Sequence, residues 1–199
     1  MKQILGRQVG FSLFSLYCRF FNIDFCQYGF ENLSSDYIII ARRKSPLDHH
    51  FFNQICNSSA EIFESFSTVA TGTPLFFIDS ILPRLQLTNS RKLIRETPYK
   101  PLNLILLFTE ENTQEMLAAA VLLCRFRGLT IMPAAISGSS EVLQFNSVVP
   151  HVGTVKALAG IPLSPPFACN GFFRKKELHE SVRQLFEQLR NVERVSLTL

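Results

Sequence analysis

Three clusters of polar residues follow apolar runs of strand length, and they hold the side chains best suited to chemistry. They are Arg42–Asp48, Asp79–Ser80 and Thr109–Gln114. The first combines three consecutive cations with a serine and an aspartate, whose side-chain oxygens can form hydrogen bonds. In open α/β sheets, ligands bind beyond the carboxyl ends of the strands. The sequence therefore predicts one site assembled from these clusters.

Four apolar runs predict the strands that position the clusters. They are continuous rather than alternating, which is typical of strands buried on both faces of a parallel sheet. The runs are Tyr37–Ala41, Leu75–Asp79, Asn103–Phe108 and Leu129–Pro133. Helical patterns separate them. Strands that alternate with helices indicate an α/β fold, a single domain with a largely parallel central sheet flanked by helices.

The helical predictions rest on caps and on periodicity. Ser45, Pro46 and Asp48 have the order of an N-cap, a first helical residue and an acidic first turn, so a helix is predicted from Pro46 to about Asn57. The remaining predictions are helices over Ala60–Val69, Thr113–Phe126 and Lys176–Arg190, a helical turn over Ser80–Gln86 and a closing strand over Val192–Leu199.

An apolar segment at the N-terminus is predicted to be helical from Ile4 to Phe21. Arg7 and Arg19 interrupt it, whereas a membrane-spanning helix needs about 20 mostly apolar residues. We therefore expect a helix that packs on the domain or lies in a membrane interface. Residues 1–28 are assigned to this N-terminal helix and residues 29–199 to the α/β domain.

Composition narrows the function classes. The chain has 199 residues and a net charge of +4, which fits attraction to phospholipid headgroups. Its basic residues form no continuous face with interleaved aromatics, so nucleic acid is not expected as a partner. Five cysteines without a CxxC pair predict neither a disulfide framework nor a metal site, and reduced thiols are typical of a cytoplasmic protein. No P-loop, G-x-G-x-x-G or G-x-S-x-G motif is present.

Four blocks of sequence stand in order over residues 29–136. They are Gly29–Leu33 (GFENL) with Arg42–Asp48 (RRKSPLD), then Pro74–Ser80 (PLFFIDS), Phe108–Thr113 (FTEENT) and Ile131–Pro133 (IMP). Together they resemble the lysophospholipid and acylglycerol-phosphate acyltransferase family, whose first block reads G-x-E-N-L, a strand, and N-H-x-S-x-x-D. Arg42 stands in place of the asparagine and Arg43 in place of the histidine.

The resemblance implies a glycerol-phosphate acyltransferase-like fold. It also implies acyl transfer from acyl-CoA or acyl-carrier protein to a lysophospholipid, with no cofactor besides that donor substrate. In the family, a histidine held by an aspartate is the general base on the acceptor hydroxyl. Asp48 occupies the aspartate's catalytic position, but Arg43 replaces the histidine. An arginine side chain has a pKa above about 12 and cannot accept the proton, so an impaired homologue is expected.

The resemblance also places basic residues for the acceptor's phosphate in the second and third blocks. Ser80 and Thr113 occupy those positions here. The candidate substrate-binding residues that remain are Arg42, Arg43, Lys44, Ser45 and Glu110. The three cations are predicted to bind an anionic headgroup, and an ion pair between Arg43 and Asp48 is the alternative use.

Three functions stay open at this point. The chain is a non-catalytic lipid-binding homologue, an active divergent acyltransferase, or a subunit that pairs with a protein partner. His49 and His50 are the candidate substitute bases for the second. Phospholipid or lysophospholipid is the expected partner, with peripheral contact at the cytoplasmic face of a membrane.

Structural roles compete with each of these site residues. Ser45 and Asp48 have the spacing of a capping box, which needs no catalytic role. Glu110 lies before a predicted helix and would favour its N-terminus through the helix dipole. The run from Arg42 to Lys44 is also compatible with a solvated loop.

Overall fold

The computed structural model describes residues 13–31, 37–56, 61–64, 85–86, 103–110, 113–164 and 175–198. The strands in these ranges are β1 (Ile23–Tyr28), β2 (Tyr37–Arg42), β3 (Glu61–Glu64), β4 (Leu85–Gln86), β5 (Leu104–Phe108), β6 (Thr130–Ser137) and β7 (Gly153–Ala159). The helices are α1 (13–20), α2 (Asp48–Ile55), α3 (Thr113–Arg127), α4 (Ser139–Val142) and α5 (Lys175–Ser196).

All seven of these strands lie in one sheet, in the order β1-β7-β6-β2-β5-β3-β4. Neighbouring strands are parallel except for β6 and β7, which are antiparallel. The predicted α/β class with a largely parallel sheet is therefore confirmed. The antiparallel pair joins the predicted strand β6 to β7, which was not predicted.

β2 is the central strand, and its composition explains why. It is parallel to both β5 and β6, with Ile39 opposite Ile105 and Met132. Side chains alternate between the two faces of a strand. Ile38 and Ile40 consequently pack into one core, whereas Ile39 packs into the other. A run of four apolar residues satisfies both faces at once.

Helices cover both faces of the sheet. On one face α1 and α2 supply Phe14, Phe51 and Phe52 to the core. On the other face α3 and α5 supply large aliphatic side chains, including Leu117 and Leu189. The strands Tyr37–Ala41, Asn103–Phe108 and Leu129–Pro133 and the helices Thr113–Phe126 and Lys176–Arg190 are confirmed as β2, β5, β6, α3 and α5.

The N-terminal segment is only partly helical. Residues 13–20 form α1, while residues 1–12 of the predicted helix lie outside the described part of the chain. Ile23–Tyr28 had been assigned to the same helix, but they form β1 and pair with β7, with Phe25 opposite Val155. Strand pairing at the sheet edge explains this correction. Among the described residues, none of the helices has the length and apolar content needed to cross a membrane.

Two further predictions are wrong. Glu61–Glu64 belongs to the predicted helix Ala60–Val69 but forms β3, because it pairs in parallel with β5. The predicted closing strand at Val192–Leu199 is instead the end of α5, which continues to Ser196. Its buried positions 185, 189, 192 and 196 recur at helical spacing, so packing decides the conformation.

The second predicted strand and its surroundings lie largely outside the described residues. Leu75–Asp79 cannot be compared for that reason, nor can most of the helix Ala60–Val69. Of the predicted helical turn Ser80–Gln86, the two described residues, Leu85–Gln86, form β4 and are parallel to β3.

β7 and α4 were not predicted. A glycine connects β6 to α4 and lies against β7. Gly138 lies between β6 and α4 with φ +78°, the left-handed region that favours glycine. A Cβ atom at this position would overlap the carbonyl oxygen of Thr154 on β7. The turn therefore needs glycine both for its backbone conformation and for its close contact with β7.

We predict that Gly138→Ala lowers the free energy of unfolding by about 2–5 kcal/mol. Left-handed backbone contributes roughly 1–2 kcal/mol and the steric overlap roughly 1–3 kcal/mol. Gly128→Ala is the matched control, because Gly128 has φ +69° but nothing within 4 Å of its Cβ position. Urea unfolding should therefore show a smaller loss for the control. Equal losses for the two variants would contradict the steric explanation.

Candidate functional site

The carboxyl ends of β2 and β5 meet at one edge of the sheet. Arg42 is the register partner of Phe108, and the Arg43 amide donates to the Phe108 carbonyl at 2.8 Å. The loop after β2 and the start of α3 therefore leave the sheet side by side. Two of the three predicted polar clusters come together in this way. The third, Asp79–Ser80, lies outside the described residues.

The loop after β2 is closed by buried side chains. The amides of Lys44 and Ser45 donate to Asp48 Oδ2 at 2.5 and 2.9 Å. Ser45 Oγ accepts from the Leu47 amide at 3.2 Å and donates to the Leu143 carbonyl at 2.7 Å. The loop is therefore folded on itself and is also tied to the chain that follows α4.

The helix that follows this loop begins later than predicted. Its N-cap is Leu47 rather than Ser45, with no side-chain cap, and its first residue is Asp48 rather than Pro46. The Asp48 amide donates to the Ser45 carbonyl at 3.3 Å, which closes a separate turn in front of α2. Only one of the two hydrogen bonds of a capping box forms, because Asp48 Oδ2 accepts from the Ser45 amide but Ser45 Oγ accepts from the Leu47 amide rather than from that of Asp48. The predicted helix start is wrong by two residues, because this turn precedes the helix.

Asp48 is fully buried, and burial has the largest effect on its ionisation. Burial raises the pKa of Asp48 to about 6, against the opposite effects of the Ser139 hydroxyl, the amides of Lys44 and Ser45, and the charge of Arg43. The Ser139 hydroxyl lies beside the carboxylate without the geometry of a regular hydrogen bond. Asp48 is thus a structural carboxylate at the position where the resemblance places a catalytic one.

Arg43 lies over the same loop. Only 7% of the residue is exposed. Its Nε donates to the Ser45 carbonyl at 3.3 Å, and its guanidinium carbon lies 5.3 Å from the centre of the Phe145 ring. Its charge also lowers the pKa of Asp48, although by less than burial raises it. A cation that cannot accept a proton therefore occupies the position of the family's base.

The candidate substitute bases lie elsewhere. His49 and His50 are both buried in α2, with ring centres 3.8 Å apart. The His50 ring stacks on Phe14 of α1 at 4.7 Å. Neither histidine is among the described lining residues of the two cavities at the strand ends. The His50 ring lies in the packing between α1 and α2, with the His49 ring against it.

Arg42 connects the strand end to two other elements. Its Nη1 lies 2.5 Å from Glu110 Oε1, and its Nε lies 3.0 Å from Glu193 Oε1 on α5. The second pair is an ion contact rather than a regular hydrogen bond. The Glu110 side chain is 83% exposed, so that pair contributes little to stability. Arg42 is nevertheless partly neutralised by two carboxylates.

Thr113 has no charge to offer a phosphate, and its hydroxyl is engaged locally. Its Oγ1 donates to the carbonyls of Thr109 and Glu110, at 3.1 and 2.9 Å. These bonds tie the first residue of α3 to the end of β5. The position that the resemblance assigns to a phosphate-binding cation therefore has a local structural role here.

Two cavities lie on either side of the Arg42–Glu110 pair. The one that we name the basic cavity has a volume of about 980 Å³. Its charged lining residues are Arg42, Arg43, Lys44, Glu110, Glu187, Arg190, Glu193 and Arg194. The one that we name the apolar cavity, about 930 Å³, lies between α3 and α5 and includes Leu117, Val182 and Phe186 in its lining. The site thus offers cations and apolar surface next to each other.

Arg190 and Arg194 are the site residues that the sequence reasoning missed. They lie four positions apart on α5, and residues at that spacing share one face of a helix. The amphipathic pattern identified the helix and its exposed face. It could not show that this face borders the ends of β2 and β5, because that contact depends on how the helix packs.

Comparison with known proteins supports the fold. No protein-family model matches the chain, and no curated protein matches it significantly. Among solved structures, the chain shares the fold of an acyltransferase that acts on lysophosphatidic acid (LPA). That structure is PlsC, the 1-acyl-sn-glycerophosphate (LPA) acyltransferase of Thermotoga maritima, with a TM-score of 0.63 over 97% of this chain and 79% of that one. The sequence identity is 15%, so the likeness concerns the fold alone.

We predict that Ser45→Ala lowers the free energy of unfolding by about 2–6 kcal/mol. The substitution leaves the Leu143 carbonyl and the Leu47 amide without a partner, at roughly 1–3 kcal/mol for each buried group. Ser147→Ala is the matched control, because Ser147 Oγ makes its bond to the Val149 carbonyl in an exposed turn. Denaturant unfolding should show a clearly larger loss at Ser45, and similar losses would contradict the structural role.

We further predict that Asp48 makes the protein less stable as the pH rises from about 4 to about 6. The folded-state pKa of about 6 exceeds the ordinary 3.8, so the native state binds this proton more tightly than the unfolded chain. The stabilisation is complete below pH 3.8 and is lost as the pH rises through 6. A shift of about two units corresponds to about 3 kcal/mol.

Asp48→Asn should remove this part of the pH dependence. Urea unfolding at pH 4, 5, 6 and 7 measures it as the difference in slope between the unchanged chain and the variant. Asp24→Asn, at an exposed carboxylate of β1, is the matched control. An unaltered slope in Asp48→Asn, or the same change in both variants, would show that the buried carboxylate is not the cause.

Proposed function

We propose that the protein is a catalytically impaired homologue of the lysophospholipid acyltransferases, which binds a phospholipid or lysophospholipid without transferring an acyl group to it. The observation that carries this proposal is the buried guanidinium of Arg43 at the position of the family's histidine. The fold shared with an LPA acyltransferase supports the comparison of positions. The alternative active enzyme would need another base at the same edge of the sheet.

The chemistry of the site disfavours such a base. Acyl transfer requires removal of a proton from the acceptor hydroxyl, and Arg43 cannot accept it. Asp48 is fully buried behind its loop, and His49 and His50 are buried in α2. Loss of a general base lowers rates by roughly 10²–10⁴-fold, and by about 10⁶ where the base works as a unit with its partners.

Binding is a separate property, and the site retains features suited to it. The basic cavity offers cations for a phosphate, and the adjoining apolar cavity offers surface for an acyl chain. A lysophospholipid presents both groups. Leu16 and Phe20, four positions apart on α1, are 60% and 79% exposed, which suits peripheral contact with a membrane surface.

Substitution of Arg43 by histidine tests the impairment. We expect no acyl transfer from acyl-CoA to LPA by the unchanged chain. In Arg43→His a base would stand beside Asp48, whose Oδ1 has no regular hydrogen bond within the described residues. Transfer at least about 10²-fold above background is then expected, the lower limit for general-base catalysis. Arg43→Gln is the matched control, because it removes the same charge without supplying a base.

Each outcome of the assay has a distinct meaning. Activity in the unchanged chain would refute the proposed impairment. Activity in Arg43→Gln as well as Arg43→His would show that the arginine blocks the site and that the base lies elsewhere. If Arg43→His is inactive, the triple variant that also carries Ser80→Arg and Thr113→Arg tests whether the missing phosphate contacts limit the reaction.

A further inference from the structure

We infer that Lys44, Arg190 and Arg194 form a binding site for a phosphate monoester at the junction of the β2–α2 loop and α5. This inference rests on the proposed function and deepens it, because it locates the phosphate of the ligand. The two arginines lie outside the four sequence blocks that resemble the acyltransferase family. Lys44 lies within the first block, but at a position where that pattern specifies no residue type.

The other two cations of the basic cavity are engaged. Arg42 faces the carboxylates of Glu110 and Glu193. Arg43 is buried over Phe145, donates to the Ser45 carbonyl and lies near the Asp48 carboxylate. A ligand phosphate would have to compete with these contacts. Within the described residues, Lys44 is therefore the cation of the predicted cluster that no carboxylate pairs with.

The remaining cations of the basic cavity have no carboxylate partner within the described part of the chain. They are Lys44, Arg190 and Arg194. Arg194 donates to the Asn191 side chain at 3.4 Å, and the Arg190 guanidinium lies 5.9 Å from the Phe186 ring centre. Both contacts leave guanidinium N–H groups for an anion.

The placement of these cations favours an anionic ligand. All three line the same cavity, and cations four positions apart on a helix repel each other. A phosphate monoester carries nearly two negative charges at neutral pH, which relieves this repulsion. Arginine also forms paired hydrogen bonds with phosphate oxygens. The cavity volume of about 980 Å³ is ample for a glycerophosphate group.

Apolar residues of the same cavity indicate which phosphate monoester fits. Phe145 and Leu197 line it and are 38% and 74% exposed. Inorganic phosphate has no apolar part that could contact these side chains. A lysophospholipid has one, because its glycerol backbone and the first carbons of its acyl chain are adjacent to the phosphate. The shared chemistry is the phosphate monoester, and the apolar contacts favour a lipid as its source.

The double variant Arg190→Gln/Arg194→Gln tests the site. Binding is measured to phosphatidylcholine vesicles with and without LPA, to sn-glycerol 3-phosphate and to inorganic phosphate. The unchanged chain should bind the LPA vesicles more tightly than the pure phosphatidylcholine vesicles. The double variant should lose at least about tenfold in affinity for LPA vesicles and for glycerol 3-phosphate, because two charge-assisted contacts are removed. Lys44→Gln should weaken binding in the same direction.

Arg125→Gln is the control for the double variant. Arg125 is a cation near the end of α3 and lines neither the basic cavity nor the apolar cavity. The Arg125→Gln variant should keep its affinity for LPA vesicles within about twofold. Thermal melting of every variant checks that the fold is intact. Arg190 and Arg194 are exposed, so their replacement by glutamine should leave the melting temperature nearly unchanged.

The outcomes separate this inference from the proposed function. If the unchanged chain does not prefer LPA vesicles, lipid binding and the inference both fail. If it does and the double variant binds equally well, the phosphate lies elsewhere and only the inference fails. Equal losses in Arg125→Gln and the double variant would indicate general charge attraction and also overturn the site. If the unchanged chain binds inorganic phosphate as tightly as it binds LPA vesicles, the result would support a phosphate site at the three cations. It would identify free phosphate, rather than a lipid, as the ligand.

Discussion

The Asp48 carboxylate determines the shape of the candidate site through two backbone hydrogen bonds. It accepts from the amides of Lys44 and Ser45, which bends the chain back immediately after the central strand. Ser45 is then placed to donate to the Leu143 carbonyl and join the loop to the chain after α4. A buried carboxylate is stable only with such partners. The geometry of the loop depends on Asp48 whether or not a base stands next to it.

This dependence separates the structural role of the motif from its catalytic role. Ser45 and Asp48, which match the serine and aspartate of the acyltransferase pattern, make buried hydrogen bonds that the turn needs. The neighbouring position 43 is constrained differently, because its side chain only has to cover the loop. Arg43 does so with its guanidinium over Phe145. The fold of this loop therefore does not require a base at position 43, because its hydrogen bonds depend on Ser45 and Asp48.

The elements that could be predicted from the sequence are those whose own residue pattern matches their burial. β2, β5 and β6 are continuous apolar runs, and α3 and α5 have helical periodicity, so local patterns agree with the packing. β3 and β7 could not be predicted in this way, because each is specified by pairing with a distant strand. At the site, the meeting of residues 42–48 with 109–110 followed from parallel strand ends. The burial of Arg43 depended on Phe145, more than 100 positions away.

The position of α5 links the two cavities and the charge balance of the site. Its buried stripe, with Leu185 and Leu189, fixes the helix against the sheet and so fixes which face borders the strand ends. Glu193 on that face partly neutralises Arg42. Arg190 and Arg194 on the same helix add positive charge beside the loop. Glu193 of this helix therefore partly neutralises the charge of Arg42, while Arg190 and Arg194 of the same helix add two cations to the cavity. A lipid phosphate in this basic cavity would accordingly bind closer to α5 than to the sheet.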